Sequence, residues 1–294
     1  MSSELEDAAF EPLSVTDVTG GLLHLAEVPA RIVSLVPSVT ETLFALDAGA
    51  LLVGRTRYCV LPDPQVRQIE RVGGTKDPDL AKIAALKPDL ILANREENRK
   101  ADIEELRSKG LNVYVSEPDS VEQALAMVSV LGRLLNREQA ADAIVRRGAQ
   151  AITALQRRLD ELQKQNQLKL RPRRSARPRV LVFIWKDPWM VVGSRTYIGD
   201  MIQTLGGEHL LKNSAERYFS ISGPDVAKLA PDIMLFPDEP FAFAETDLVS
   251  WRDNFRQIPA VRENNMRLCS GQDLAWSGSR TPDALVRLQS TLAW

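Results

Sequence analysis

A ten-residue motif that occurs twice constrains this chain more than any other feature. Ile83-Ala84-Ala85-Leu86-Lys87-Pro88-Asp89-Leu90-Ile91-Leu92 returns as Val226-Ala227-Lys228-Leu229-Ala230-Pro231-Asp232-Ile233-Met234-Leu235. Each copy runs into an acidic turn, with Glu96 and Glu239 both eight residues beyond the proline of the motif. An arginine-led apolar run precedes each copy: Arg31-Ile32-Val33-Ser34-Leu35, 57 residues before Pro88, and Arg179-Val180-Leu181-Val182-Phe183, 52 residues before Pro231. The repeat predicts two similar lobes. Two joined lobes imply a cleft, and small ligands bind in clefts between domains. A length of 294 residues accommodates this, at about 150 residues per domain.

Hydrophobic residues at 44% and charged residues at 26% suit a soluble globular protein with a full core. A net charge of −2 argues against a general binder of nucleic acid or anionic membrane. No run approaches the roughly 18 apolar residues that span a bilayer, so no membrane insertion is expected. The acidic start, Met1-Ser2-Ser3-Glu4-Leu5-Glu6-Asp7, has neither the positive nor the apolar region of a secretory signal. The expectation is that the chain acts in the cytoplasm or has lost an export signal. Two cysteines, Cys59 and Cys269, exclude a disulfide framework and read as free thiols.

The pattern of elements is α/β. Two β-prone runs, 13–18 and 22–25, flank Thr19-Gly20-Gly21 and read as a hairpin. Short apolar runs at 31–35, 90–92 and 113–115 alternate with helical spacing at 40–46, 79–86 and 102–109, which predicts a mainly parallel, Rossmann-like sheet covered on both faces. Residues 121–135 read as a helix, and Asn136 with Gln139 reads as the capping box of a long helix over 137–168, about 48 Å at about 1.5 Å per residue. Five arginines and two prolines in 170–179 suggest a solvated linker rather than an anion site. The second lobe is expected to repeat strand 180–184, helix 198–205, helix 224–229, strand 232–236 and a last helix over 282–292. The resulting division is a tail and hairpin over 1–29, an N-terminal lobe over 30–135, a linker helix and basic linker over 136–178, and a C-terminal lobe over 179–294.

Several enzyme signatures are missing: a Walker loop, a dinucleotide glycine fingerprint, a Gly-x-Ser-x-Gly elbow and a Cys-x-x-Cys pair. With only His24 and His209, histidine acid/base chemistry has little to draw on and a multi-histidine metal site cannot be assembled. No catalytic and no metal-ligating residues are therefore assigned. The remaining chemistry lies in loops after strands, which line the crevice of an open α/β sheet. Candidate ligand residues are Ser38, Arg57 and Tyr58 in the first lobe, and Trp185, Arg195, Tyr197, Trp276 and Arg280 in the second. Rings stack on planar faces and guanidinium forks grip carboxylates, so the set suits a large, flat or anionic ligand. Trp276 stands among loop residues without an evident core role, whereas Trp185 ends a strand and is equally compatible with a core position. Trp189, beside Pro188, reads as packing. Glu96, Glu97 and Glu239, at matching places, are expected on an outer face as acidic knobs that dock on basic sockets of a two-fold partner.

Arg31 to Glu41, Val53-Gly54-Arg55, Val72-Gly73-Gly74-Thr75 and Leu86-Lys87-Pro88-Asp89-Leu90-Ile91-Leu92-Ala93-Asn94 together resemble the class III substrate-binding proteins of ABC importers, the helical-backbone receptors for vitamin B12 and iron-siderophores. The resemblance covers most of the chain, from the hairpin to the last helix. It implies two α/β lobes bridged by one long helix with little hinge motion, and a glutamate on each lobe engaging arginines of the membrane permease. Those glutamates fall on Glu239 and on Glu96 or Glu97. Cobalamin receptors of the family place aromatics where Tyr58, Trp185 and Trp276 stand, while siderophore receptors present several cleft arginines, for which Arg55, Arg57, Arg195 and Arg280 are available.

The reading is a non-catalytic, monomeric receptor without a required cofactor. It captures a metal chelate between its lobes, a corrinoid first and a ferric siderophore or haem second, and delivers it to an ABC importer. By resemblance its place is the periplasm or cell envelope. The rival reading is a cytoplasmic chelatase-like enzyme, or a storage or regulatory protein, for a tetrapyrrole or corrinoid.

Overall fold

In a computed structural model, the structure describes residues 10–167 and 177–291. The acidic start 1–9, most of the basic stretch (170–176) and the last residues of the chain lie outside the described residues.

The described chain divides into two compact units, one comprising the residues up to Glu117 with Ala126–Ala143, the other Pro118–Leu125 with the residues from Ile144 onward. This grouping departs from the expected boundaries 30–135, 136–178 and 179–294, because segments of both long helices belong to each unit.

In the first unit, β1 (Leu13–Thr16) and β2 (Leu22–Leu25) pair antiparallel as the expected hairpin. Then β3 (Ile32–Ser34), β4 (Leu52–Arg55), β5 (Glu70–Arg71), β6 (Leu90–Asn94) and β7 (Val113–Ser116) form an all-parallel sheet of order β5-β4-β3-β6-β7. The chain leaves β3 toward β4 on one side and later returns to β6 on the other, a switch point of the kind at which open sheets bind ligands. Helices α1 (Pro37–Ala45), α2 (Leu80–Ala85) and α3 (Lys100–Ser108) alternate with the strands. Val33, Ile91, Ala93, Val113 and Val115 point to one face and pack with Ile83 of α2 and Ile103 and Leu106 of α3. Ile32, Leu90 and Leu92, pointing the other way, are buried too, as two covered faces require.

In the second unit, β8 (Arg179–Trp185), β12 (Ile233–Pro237) and β13 (Met266–Cys269) run parallel, β9 (Met190–Val192) and β11 (Tyr218–Ser220) join antiparallel, and β10 (Glu208–His209) pairs with the start of β8. Alternation along the strands sorts two cores. Val180, Val182, Ile233 and Leu235 pack on α6 (Tyr197–Thr204) and α11 (Thr281–Thr291), with Val121 and Ala124 of α4 (Val121–Leu134) and Leu155 of α5 (Glu138–Gln167). Leu181, Phe183, Met234 and Phe236 pack on α7 (Gly223–Leu229), α8 (Glu245–Asn254) and α9 (Pro259–Arg262). A short α10 (Gly271–Ala275) follows β13. Trp189 lies inside an aromatic cluster, 5.4 Å from Phe183 and 5.3 Å from Trp251.

The repeated motif does the same work in both units. Lys87 (φ 48°) and Ala230 (φ 47°) end the preceding helix in the left-handed region, and the following proline prevents its continuation. The aspartate then ties the start of one central strand to the start of its neighbour. Asp89 Oδ2 accepts the backbone N–H groups of Ala30 (2.9 Å) and Arg31 (2.8 Å), and its own N–H donates to the Arg31 carbonyl at 2.8 Å. Asp232 Oδ2 likewise accepts the Arg179 N–H at 2.9 Å, and its N–H donates to the Arg179 carbonyl at 2.8 Å. Each arginine side chain reaches back to the helix end, Arg31 to the Leu86 carbonyl (2.7 Å) and Arg179 to that of Ala230 (3.0 Å).

Asn136 does not start the long helix as expected. It sits at φ 53°, and the Arg137 N–H donates to the Gly132 carbonyl at 2.8 Å while the Asn136 N–H donates to that of Arg133 at 3.5 Å. That pair of bonds is a Schellman ending for α4, so the asparagine serves the outgoing helix and α5 begins at Glu138.

The hairpin is fastened by Asp17. Its side chain accepts from Thr19 N (2.9 Å), Thr19 Oγ1 (2.7 Å), Gly21 N (3.0 Å) and Val115 N (2.9 Å), and pairs with Arg107. Burial alone would raise its pKa, but the bonds from Thr19, Val115 and Gly21 outweigh it and hold the carboxyl below the usual range.

These ties can be tested by unfolding. Asp89→Ala and Asp232→Ala should each destabilise by about 1–2 kcal/mol in urea unfolding, since each strips a carboxylate from strand-initiating N–H groups. Asp17→Asn should cost about 2–3 kcal/mol at neutral pH. A depressed folded pKa gives stability that is full above the unfolded value of about 3.9 and is lost as pH falls through the folded value, so the gap between variant and parent should close in acid.

Candidate functional site

The candidate residues are distributed over the strand ends of each unit. In the first, Arg57 and Tyr58 follow β4 directly. Their loop is stapled from beneath by Arg55, which is buried and donates from Nε to the Val66 carbonyl (2.9 Å) and from a terminal nitrogen to that of Thr56 (3.1 Å). Burial holds the Arg55 pKa below its ordinary value, aided by nearby Arg71. Cys59 adds a second anchor, its sulfur 3.0 Å from Thr40 Oγ1 and 3.2 Å from Thr56 Oγ1; burial pushes this thiol up, so it is inert packing. Tyr58 is thereby presented half exposed, at 50%. Arg57 is not a free fork: it donates to both carboxylate oxygens of Asp77, at 2.9 and 3.0 Å, and lies 5.0 Å from the Tyr58 ring.

Ser38 reads as a loop residue from sequence. It is instead the buried second residue of α1, because Pro37 is preorganised for the first helical position and starts the helix there.

In the second unit Trp185 closes β8. It is 42% exposed, with Phe241 set edge-on at 5.6 Å between centroids. Beside it Lys186 donates to Asp247 at 2.7 Å. That hydrogen bond raises the lysine pKa and lowers the aspartate's. Trp276, in contrast, is only 9% exposed, so the tryptophan that reads as loop from sequence is the covered one and the strand-ending one faces out. The Trp276 indole N–H donates to Glu239 at 3.1 Å, Gln272 donates to the same carboxylate at 3.1 Å, and the Arg280 guanidinium lies 5.5 Å from the indole ring. Arg280 is itself paired with Asp273 at 3.0 Å, which also takes Arg287 at 2.6 and 2.7 Å. Burial opposes ionisation of Asp273, yet the two guanidiniums more than reverse it and its pKa lies below the usual range.

Tyr197 and Arg195 do not join this group. Tyr197 is the first residue of α6, buried in the core with its hydroxyl 2.9 Å from Thr281, where desolvation drives its pKa up. It supports the start of α11 from below and presents no surface to a ligand. Arg195 follows β9, whose antiparallel direction carries the chain away from the end of β8 where Trp185 stands. It lines a separate recess of about 100 Å³ with Asp119, Thr196, Gly199, Asp200, Gln203, His209 and Lys212.

The acidic residues stand at matching places in the two units: Glu96 and Glu97 follow β6, and Glu239 follows β12. The two turns are built differently. Asn94 Oδ1 accepts the N–H groups of Glu96 (2.8 Å) and Glu97 (3.3 Å), whereas Glu239 is committed to Gln272 and Trp276. Gly271 permits that commitment, since a Cβ there would lie 2.7 Å from Glu239 N.

Sequence reasoning missed Phe241, Asp77, Asp273 and Gln272. Only Phe241 left a trace, in the alternating Phe241-Ala242-Phe243 after the acidic turn. Among the described residues no cluster of three or more metal-ligating side chains occurs, and no helix is long and apolar enough to cross a membrane.

The sequence profile of the periplasmic binding proteins matches residues 32–272. The chain belongs to the periplasmic binding protein family. As such it is a solute-binding receptor with an α/β fold of two lobes. Among its relatives is an uncharacterized ABC transporter substrate-binding lipoprotein, YvrC of Bacillus subtilis, 24% identical over 285 residues, 96% of this chain and 85% of that protein. The vitamin B12-binding protein of Photorhabdus laumondii is 28% identical over 207 residues, 70% of each. Of solved structures, the periplasmic vitamin B12 binding protein BtuF of Vibrio cholerae superposes with a TM-score of 0.76 at 21% identity, covering 90% of this chain and 97% of that one. The periplasmic heme-binding protein BhuT in complex with two hemes gives 0.75 at 24% identity, covering 89% and 97%.

The Glu239 tie can be tested optically. Glu239→Ala should red-shift tryptophan emission, and Glu239→Gln, which keeps an acceptor, should not. In a Trp276→Phe background the shift caused by Glu239→Ala should vanish.

Proposed function

We propose that the protein captures a metal chelate with a large flat face, a corrinoid first and haem or a ferric siderophore second, and hands it to an ABC importer. The observation that carries this is Trp185: a large ring, well exposed at a central strand end with Phe241 bracing its edge, is an apolar platform that water does not favour and a planar ligand does. Tyr58, at a strand end of the other unit, supports the same reading. The names of the relatives, a vitamin B12-binding protein and a substrate-binding lipoprotein of an ABC transporter, support ligand class and partner. The protein acts without catalysis, as a monomer, in the cell envelope. Ser38, Arg57, Trp276 and Arg280 are assigned secondary, positioning roles. Permease docking is assigned to Glu239 and to Glu96 or Glu97, with the Glu239 carboxylate held in place by Trp276 and Gln272.

Titration of the purified protein with cyanocobalamin, haemin and a ferric siderophore, followed by tryptophan quenching, should give saturable binding of at least one. Trp185→Ala should weaken it by about tenfold or more, equivalent to about 1.4 kcal/mol of lost stacking. Absence of saturable binding to all three would overturn the proposal.

A further inference from the structure

The cations beside the candidate ligand rings are all committed to carboxylates of the protein itself. Next to Tyr58, both terminal nitrogens of Arg57 engage Asp77. Next to Trp185, Lys186 engages Asp247. Around Trp276, Arg280 and Arg287 share Asp273, while the indole N–H takes Glu239, so two guanidiniums meet two carboxylates. Three rings on three different loops thus each stand beside cations already paired with the protein's own carboxylates.

Resting on the receptor reading above, we infer that the ring-bearing surface of each unit favours chelates with no net negative charge and discriminates against polyanionic ones. A guanidinium recognises a ligand carboxylate or catecholate by presenting its fork. When the fork already holds an aspartate, an incoming anion exchanges one carboxylate for another and leaves the displaced one unpaired, so the gain in attraction is lost. The remaining cations do not change this. Arg55 is buried and spends its donors on the Val66 and Thr56 carbonyls. Lys76 spends a donor on the Glu96 backbone carbonyl. Arg195 and Lys212 share their recess with Asp119 and Asp200. In each unit an exposed ring, Tyr58 in one and Trp185 in the other, is left as the dominant attraction, and stacking on it is indifferent to ligand charge. A corrin whose cobalt charge is cancelled by its own ligands and phosphodiester meets this surface without penalty; two propionates or three catecholates do not.

The test compares cyanocobalamin (net neutral), haemin (two propionates) and a ferric triscatecholate (triply anionic) at about 20 mM and about 500 mM NaCl, conditions that span strong and weak screening. Expected are at least tenfold tighter binding of the neutral corrinoid and less than about threefold change in its Kd between the two salts. Asp77→Asn, at an exposed pair, releases the Arg57 fork; it should improve affinity for the anionic chelates relative to cyanocobalamin about three- to tenfold, with an unaltered melting curve as control. An anionic chelate that binds as tightly as the corrinoid and weakens steeply with salt would overturn the inference while leaving the receptor reading intact, as would an Asp77→Asn protein with unchanged discrimination. No saturable binding of any of the three would overturn both.

Discussion

A carboxylate at the start of the second central strand of each lobe, bonded to the backbone of its neighbour, is the contact on which the rest of the architecture depends. Asp89 and Asp232 fix where β6 begins against β3 and where β12 begins against β8, and a parallel pair has no tight turn to set its register. Once Ile32 faces Leu90 and Val180 faces Ile233, the alternation of side chains decides which residues enter which core. It also decides where the strands stop. Trp185, Asn94 and Pro237 fall at strand ends because the register counted from Asp89 and Asp232 puts them there, so the geometry of the candidate site descends from contacts at the opposite end of the same strands.

The parts of the fold that were legible in the sequence are those whose chemistry is local. The hairpin, α2, β6, α7, β12 and α11 are each marked by an apolar run bounded by Pro, Gly or Asp. What escaped is short or depends on distant partners. Strands β9 and β11 have three residues each, and β13 only four, too few for a period to register. Asn136 shows why caps mislead: asparagine suits both a helix start and a left-handed helix end, and only the backbone bonds to Gly132 and Arg133 decide. For the site, the aromatic identities were legible and their exposures were not. Trp276 is covered because Glu239, far along the chain, accepts its indole proton; Tyr197 is buried because Thr196 caps α6 and commits it to the helix. Ion pairs such as Arg57 with Asp77, twenty residues apart, carry no periodic signature at all.

The two lobes resemble each other where they are built and differ where they are exposed. Both left-handed helix ends, both prolines and both aspartates coincide, yet the turns beyond them diverge: one is organised by Asn94 around its own N–H groups, the other by a glutamate that reaches across to α10 and the loop after it. The common part sets strand ends at equivalent places, and the divergent part furnishes them with different side chains. A scaffold of this kind separates the demand for a stable sheet from the demand for a particular ligand surface.

The grouping of α4 has a bearing on how the molecule can be taken apart. Val121 and Ala124 are in the core that α6 and α11 form over β8 and β12, and the Val121 N–H donates to Asp200 at 2.8 Å, although these residues precede Ala126–Ala143, which belongs to the other unit. No single stretch of the chain therefore consists of the second lobe alone. A fragment beginning at Ile144 would expose the seat of those side chains and leave the Asp200 carboxylate without its backbone donor. Each lobe is completed by sequence interleaved with the other, so neither a simple cut nor a circular rearrangement of the gene would yield independent halves; the order of the helical segments would itself have to be changed.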